Sequence, residues 1–303
     1  MIDFLASSAH YADHLEPIRA ALPESVRGEM LSGRPRAGGP VVSAASRDTR
    51  AAIRAKRPVA VTEHGAGQSY SNGNSSYPGG KGLGGVGLFL TPNEHAAARW
   101  RAEYPATRIE VVGCPRLDAL PTRVPGPGPI VAVSFHWPCS VAPEARGTWA
   151  YHRSALPALA ARYRVLGHAH PRIGALIAPL YRKLGIEVVD DFTDICRRAD
   201  LYICDNSSTI FEFASTGRPV VVLNAPWCRR RVDHGLRFWG AATVGVQCDE
   251  PDSLLDAVVA ALADPPEQQA AREAALDIVY AFRHGAAQRA ASVLVDWAGE
   301  VAA

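Results

Sequence analysis

Between Ala199 and Asn224 the chain reads ADLYICDNSSTIFEFASTGRPVVVLN, an order of residues that few folds accommodate. Leu201 to Cys204 is a short apolar run, the pattern of a buried strand. Asp205 to Thr209 is a turn of small polar residues suited to starting a helix. Ile210 to Ala214 opens that helix, which must stop at Gly217, ahead of Pro219. Val220 to Leu223 is a second buried strand. The result is strand, polar turn, helix, strand, with polar groups at the carboxyl end of the first strand, where open α/β sheets bind ligands. Backbone N–H groups and hydroxyls at a helix start suit a phosphate, and the same residues also serve an ordinary cap.

The alternation extends in both directions. Toward the amino terminus, strands are expected at Ile2–Ser7, Pro40–Ala45, Pro58–Thr62, Leu88–Leu90 and Arg108–Val112. Helices are expected at His14–Leu22, Asp48–Lys56 and Asn93–Tyr104. The stretch PTRVPGPGP over 121–129 is stiff and unsuited to either element, so a boundary is placed there. Beyond it, strands are expected at Ile130–Phe135, Arg164–Gly167 and Ile186–Val189. Helices are expected at Trp149–Tyr163, with a kink near Pro157, and at Ala175–Leu184, Thr193–Arg198, Asp252–Ala263 and Glu267–Trp297. Strands alternating with helices in both halves give an α/β fold of two Rossmann-like, doubly wound parallel-sheet domains facing a cleft. The first covers 1–122, with a C-terminal helix over 284–300 packing back on it, and the second covers 130–283.

With 303 residues and 48% hydrophobic content, two such domains have ample core. Lys+Arg 32 against Asp+Glu 30 gives +2, no bulk case for nucleic acid or membrane. The six cysteines form no CxxC pair and are expected as reduced core residues of a cytoplasmic protein. Neither a signal peptide nor a membrane-spanning run is expected, which leaves only peripheral membrane association open. Residues 69–87 are rich in Ser, Asn and Gly, too long for a plain connection, and fit a binding loop as well as a surface loop.

Several stretches resemble the CDP-glycerol glycerophosphotransferase family, GT-B enzymes that prime and polymerise teichoic acids. His64-Gly65 after a strand is similar to the family's His-Gly loop. Residues Gly113 to Asp118, GCPRLD, resemble its Gly-x-Pro-Arg-x-Asp turn. His170-Pro171 matches its His-Pro, and Asp205 to Ser208 with Phe211-Glu212-Phe213 its Asp-x-Ser-Ser…Phe-[Asp/Glu]-Phe stretch. Gly285-Ala286 and Arg289 look like its C-terminal Gly-x-Ala…Arg, with His284 where the family favours an acid. After His64-Gly65 the chain runs Ala-Gly-Gln rather than the family's Thr-Pro and basic pattern, which leaves the acceptor open.

The resemblance implies transfer of a glycerophosphoryl or glycosyl group from a nucleotide diphosphate donor, CDP-glycerol or a UDP-sugar, to an acceptor hydroxyl. Such transfer needs a base, donors around the diphosphate and an oriented site. His64, at the carboxyl end of a strand with small neighbours, is the candidate base, and the resemblance implies that role; Glu63 is placed to orient it. His170, Ser207, Ser208 and Thr209 are candidates for the donor phosphates. Glu212 is a candidate for the donor ribose, or else a solvated first-turn acid. His10 and Gln68 are candidates for the acceptor side. Asp205 is expected to fix its turn, and His168 to face away from His170. Asp190, Asp191 and Asp194 give no metal-site pattern, and no essential metal or other cofactor is expected. The acceptor lies on a polymer or a small molecule, and Arg229-Arg230-Arg231 near Phe238-Trp239 leaves a nucleic acid open. A nucleotide-sugar epimerase of the same architecture, a glycosyltransferase acting on a modified nucleic-acid base and a non-catalytic nucleic-acid binder are the competing functions.

Overall fold

The computed structural model describes residues 1–33, 35, 37–66, 82–139, 143–228 and 243–302. Gln68, Arg229-Arg230-Arg231, Phe238-Trp239 and most of the 69–87 loop lie outside the described residues. The chain divides into two compact units, Met1–Ala119 with Ile278–Ala303, and Leu120–Asp277.

The first unit holds strands β1 (Ile2–Leu5), β2 (Arg27–Leu31), β3 (Val41–Ser43), β4 (Val59–Thr62), β5 (Val86–Thr91) and β6 (Arg108–Val111). They form one sheet in the order β2-β1-β3-β4-β5-β6, every pairing parallel. Helices α1 (Ala9–Ala21), α2 (Ser46–Arg54) and α3 (Glu94–Glu103) are the crossovers. Period-two alternation sorts the side chains between faces. Along β5, Leu88 and Leu90 join Leu15 and Ile18 of α1 in one core, while Phe89 joins Ala52 of α2 and Trp100 of α3 in the other. Phe89 stacks on Trp100 at 4.3 Å between ring centroids.

The second unit holds β7 (Ile130–Phe135), β8 (Arg164–Ala169), β9 (Glu187–Val188), β10 (Leu201–Cys204), β11 (Val220–Leu223) and β12 (Val246–Cys248). The order is β12-β11-β10-β7-β8-β9, again parallel throughout. Read from the other edge this is the 3-2-1-4-5-6 order of a dinucleotide-binding fold, whose switch point falls between β7 and β10. Helices α4 (Trp149–His152), α5 (Leu156–Arg162), α6 (Pro171–Lys183), α7 (Phe192–Arg198), α8 (Thr209–Ala214), α9 (Leu254–Ala263) and α10 (Pro266–Val279) follow in chain order. Val131, Val133 and Phe135 of β7 pack with Leu156, Ile177 and Val258 from three of these helices.

Helix α11 (Ala286–Ala302) belongs to the first unit. Its Ala290, Leu294 and Trp297 join the α1 side of that core. The sequence pattern carried one helix from Glu267 to Trp297; the structure breaks it after Val279, where the Ala281 N–H donates to Pro92 O. Two edge strands escape the pattern. Arg27–Leu31 (RGEML) carries charges that hide an apolar run, and Val246–Cys248 is three residues long. The expected helix over Trp149–Tyr163 is interrupted by a 3₁₀ turn at Arg153–Ala155, because Pro157 lacks an N–H and crowds the turn before it. Strand β8 runs on through Ala169, two residues past the expected end.

None of the six cysteines is in a disulfide, and Cys114, Cys196, Cys204 and Cys248 are buried. Among the described residues no helix is long and apolar enough to cross a membrane, and no group of three or more His, Cys, Asp or Glu is placed to hold a metal ion. Asp191 instead caps α7 by accepting Thr193 N–H at 2.8 Å, and Asp194 pairs with Arg197.

Candidate functional site

At the carboxyl edge of the first sheet, His64 follows β4 by one intervening residue. Its Nδ1 lies 2.7 Å from Ala44 O in the loop after β3. A carbonyl only accepts, so Nδ1 carries the proton of the neutral ring and Nε2 is the acceptor nitrogen. Gly65 has φ +89, a left-handed conformation that turns the chain sharply after the histidine. The imidazole is packed edge-on by Tyr11 and His14 of α1, at 5.2 and 5.8 Å between ring centroids. His14 is buried, and its Nε2 accepts from Arg116 Nη1 at 3.3 Å. Burial, with the Arg116 guanidinium beside it, holds His14 well below the usual histidine range, so it stays neutral. His10 sits on the first turn of α1 with its ring 3.9 Å from that of Tyr11.

Glu63 does not orient His64. No hydrogen bond joins the two, and the Ala44 carbonyl takes the place expected of that carboxylate. Adjacent residues leave an extended segment on opposite sides. Burial pushes Glu63 up to about 8, with the Trp100 side chain nearby opposing that shift.

In the second unit the polar groups gather where β7, β8 and β10 end, around the switch point. Asp205 is wholly buried. Its two oxygens accept from the backbone N–H of His136 at 2.8 Å and of Thr148 at 2.7 Å, so it ties its turn to the loop after β7 and to the start of α4 rather than bonding within the turn itself. His170 is the N-cap of α6: its Nδ1 accepts from Arg172 N at 3.2 Å. The proton of neutral His170 therefore sits on Nε2, and the ring presents a donor. His136 lies against it, rings 5.0 Å apart and edge-to-face. His168 turns aside, as alternation requires, with Nδ1 2.9 Å from Ser134 Oγ.

The three hydroxyls of the turn differ. Ser208 donates to Glu212 Oε1 at 3.4 Å. Thr209 donates its hydroxyl to Ser207 Oγ at 2.8 Å and its N–H to the same oxygen at 3.3 Å, and Tyr202 OH lies 2.9 Å from Thr209 Oγ1. Both acceptor positions of Ser207 are thus occupied from within, while its own proton has no acceptor among the described residues. Of the three, Ser207 is the hydroxyl whose proton is not taken up within the turn, and Thr209 braces it through both of these bonds. Glu212 is 0% exposed, which excludes the solvated acid. A ribose would reach it only through a rearranged turn.

Residues 151–295, a little under half of the chain, match the family model described as CDP-Glycerol:Poly(glycerophosphate) glycerophosphotransferase. This stretch belongs to the CDP-glycerol glycerophosphotransferase family. It is a family of transferases, and the chain is an enzyme of that class. No curated protein matches the chain. Among solved structures, the chain is similar to the wall teichoic acid polymerase TagF soaked with CDPG, with a TM-score of 0.64 at 15% identity over 99% of this chain and 88% of that one. It is also similar to S. aureus MnaA in a UDP co-structure, with a TM-score of 0.65 at 14% identity over 97% of this chain and 94% of that one. A UDP-GlcNAc 2-epimerase from Neisseria meningitidis bound to UDP-GlcNAc gives a TM-score of 0.63 at 12% identity, over 99% of both chains. At these identities the likeness is one of fold, and the fold is of the GT-B class.

The family's motifs have separable jobs here. Asp118 accepts from Gly285 N at 2.8 Å and Ala287 N at 2.7 Å, so the Gly-x-Pro-Arg-x-Asp turn caps α11. Gly113, at φ +87, lets the chain pass close to Phe282: a Cβ there would stand 2.5 Å from Phe282 O. The guanidinium of Arg289 lies 4.1 Å from the centre of the Phe282 ring. These residues hold the C-terminal helix, while His64, His170 and Ser207 stand half-buried beyond the ends of β4, β8 and β10. Tyr11, His14, Arg116 and His136 were not singled out as site residues from the sequence. Tyr11 and His14 lie inside an ordinary amphipathic helix, and nothing local announces that their rings meet His64.

Proposed function

We propose that the chain transfers a glycerophosphoryl or glycosyl group from a nucleotide diphosphate donor, CDP-glycerol or a UDP-sugar, to an acceptor hydroxyl, with His64 as general base. The observation that carries this is the 2.7 Å contact from His64 Nδ1 to Ala44 O, which leaves Nε2 as a proton acceptor. Nε2 takes the proton of the acceptor hydroxyl as its oxygen bonds to phosphorus, or to the anomeric carbon of a sugar. The bond from that centre to the nucleotide breaks, and CMP or UDP leaves with the electron pair. His170 Nε2–H and the Ser207 hydroxyl donate to the phosphate oxygens, where negative charge accumulates.

The step is proposed to need no metal, since the donors named above supply the field; EDTA then leaves the rate unchanged, and a loss restored by Mg²⁺ would refute the metal-free step. His10 and Gln68 remain proposed for the acceptor side, and Glu212 for the ribose. We further propose that the enzyme works in the cytoplasm, where nucleotide-activated donors are made.

Incubation with CDP-glycerol and with UDP-sugars, scoring nucleotide release with and without candidate acceptors, tests the function. Failure to bind CMP, CDP, UMP or UDP in a thermal-shift panel overturns it. Likeness to two UDP-associated proteins, one an epimerase, favours a second reading as a nucleotide-sugar epimerase. A converted sugar formed without any acceptor would select it.

A further inference from the structure

We propose that Arg116 is a positioning residue for His64, acting through His14 to hold that imidazole in place and to keep it unprotonated. This rests on His64 being the base of the proposed transfer.

Arg116 lies in a short 3₁₀ turn, Pro115–Ala119, and is only 7% exposed. A buried guanidinium is costly unless its N–H groups find acceptors. One of them, Nη1, meets His14 Nε2 at 3.3 Å, and Nη2 lies 3.8 Å from the Asp13 carboxylate. Because guanidinium cannot accept, the contact fixes His14 as the neutral tautomer with its proton on Nδ1. His14 then presents its ring edge-to-face to His64 at 5.8 Å, while Tyr11 does the same at 5.2 Å. The His64 ring is thus held by Ala44 O at one nitrogen and by two α1 rings, one of them fastened by Arg116.

The same arrangement has an electrostatic consequence. Among the described residues, the titratable and charged groups on the segments packed about His64 include His10, Tyr11, Asp13 and His14 of α1, Arg116 beside His14, and Glu63 in its own segment. Of these, Arg116 is the permanent cation, and its Asp13 partner is half-exposed and 3.8 Å away. A second positive charge on His64 would form near an already charged, poorly solvated guanidinium, which opposes protonation. His14, in contact with Arg116, feels this field directly: it adds to burial in lowering the His14 pKa.

The test uses the full chain and two substitutions. Arg116→Lys keeps the charge; Arg116→Gln keeps an N–H for His14 and removes the charge. The His64 ring is followed by NMR through its Cε1–H resonance, assigned by its absence in His64→Gln. The midpoint of His64 titration is expected to rise by about half a pH unit or more in Arg116→Gln, and to stay near that of the unsubstituted chain in Arg116→Lys. The acid limb of kcat/KM should move with it, while CDP and UDP affinity stays unchanged. An unmoved His64 midpoint in folded Arg116→Gln overturns the inference, as does an equal shift in both variants. Because the NMR readout needs no turnover, absence of transferase activity would sink the proposed function separately. Should Arg116→Gln fail to fold, His14→Gln replaces it: it breaks the link to Arg116, and an unchanged His64 midpoint and kcat there likewise overturns the inference.

Discussion

His64 and His170 each follow a strand at the carboxyl edge of its own sheet, yet their rings are wired in opposite senses. His64 Nδ1 faces a carbonyl, so its far nitrogen accepts; His170 Nδ1 faces an amide N–H, so its far nitrogen donates. The difference comes from what each ring finds beside it. Ala44 O lies beyond strand β3, which ends at Ser43, and so is available to the ring. Arg172 N is one of the unsatisfied donors at the start of α6. The two sheets therefore offer complementary chemistry from the same residue type, one end fit to take a proton and the other to steady an anion.

The strongest way to break this contrast is His64→Ala. Nucleotide release should fall about a thousandfold while CDP or UDP affinity is unchanged; surviving turnover removes His64 as the base. His170 sharpens it. His170→Ala should weaken nucleotide binding roughly tenfold and lower stability by about 1 kcal/mol, since the cap is lost as well. His170→Asn should recover the melting temperature and not the affinity, because Asn caps the helix without reaching as far as Nε2. If Asn restores both, His170 serves only as a cap.

Within the turn, Ser207→Ala should reduce nucleotide affinity by roughly fivefold to tenfold, measured by calorimetry, and Ser208→Ala by less, because the Ser208 proton is already held by Glu212. Equal losses would erase the distinction drawn among the hydroxyls. Asp118→Ala frees two N–H groups of α11 and should cost about 1–2 kcal/mol in denaturant unfolding with no change in nucleotide affinity.

The smallest effect is a pH slope. Glu63 is raised in the fold to about 8 from an ordinary value near 4.5, so between those values the folded state binds the extra proton. Its contribution to stability is present at low pH and is lost as pH rises toward 8. His14 is lowered, so its contribution has the opposite sign and is lost as pH falls below 6.5. Between pH 6.5 and 8 Glu63 acts without His14, and the melting temperature should drift downward there. Glu63→Gln should flatten that drift; an unchanged slope would show the carboxyl to be unshifted.

Much of this was legible in the sequence. The runs Ile130–Phe135, Leu201–Cys204 and Val220–Leu223 are strands to the residue, because a strand buried on both faces is an unbroken apolar run. The His-Gly, His-Pro and Asp-x-Ser-Ser pieces do follow strands β4, β8 and β10, as their apolar runs implied, and the carboxyl ends of strands are where parallel sheets bind ligands. The edge strand at Arg27–Leu31 was not legible, since half its side chains meet solvent and its apolar pattern is broken.

What the residue order determined by itself is the alternation of strands and helices in each half and the resemblance to a known family, both of which depend on local periodicity and short motifs. Only the tertiary structure decided which nitrogen of each imidazole holds the proton, that Arg116 reaches His14 across 102 residues, and that Asp118 caps a helix more than 160 residues further on. Those are hydrogen bonds between groups brought together by packing, and no local pattern encodes a partner that distant.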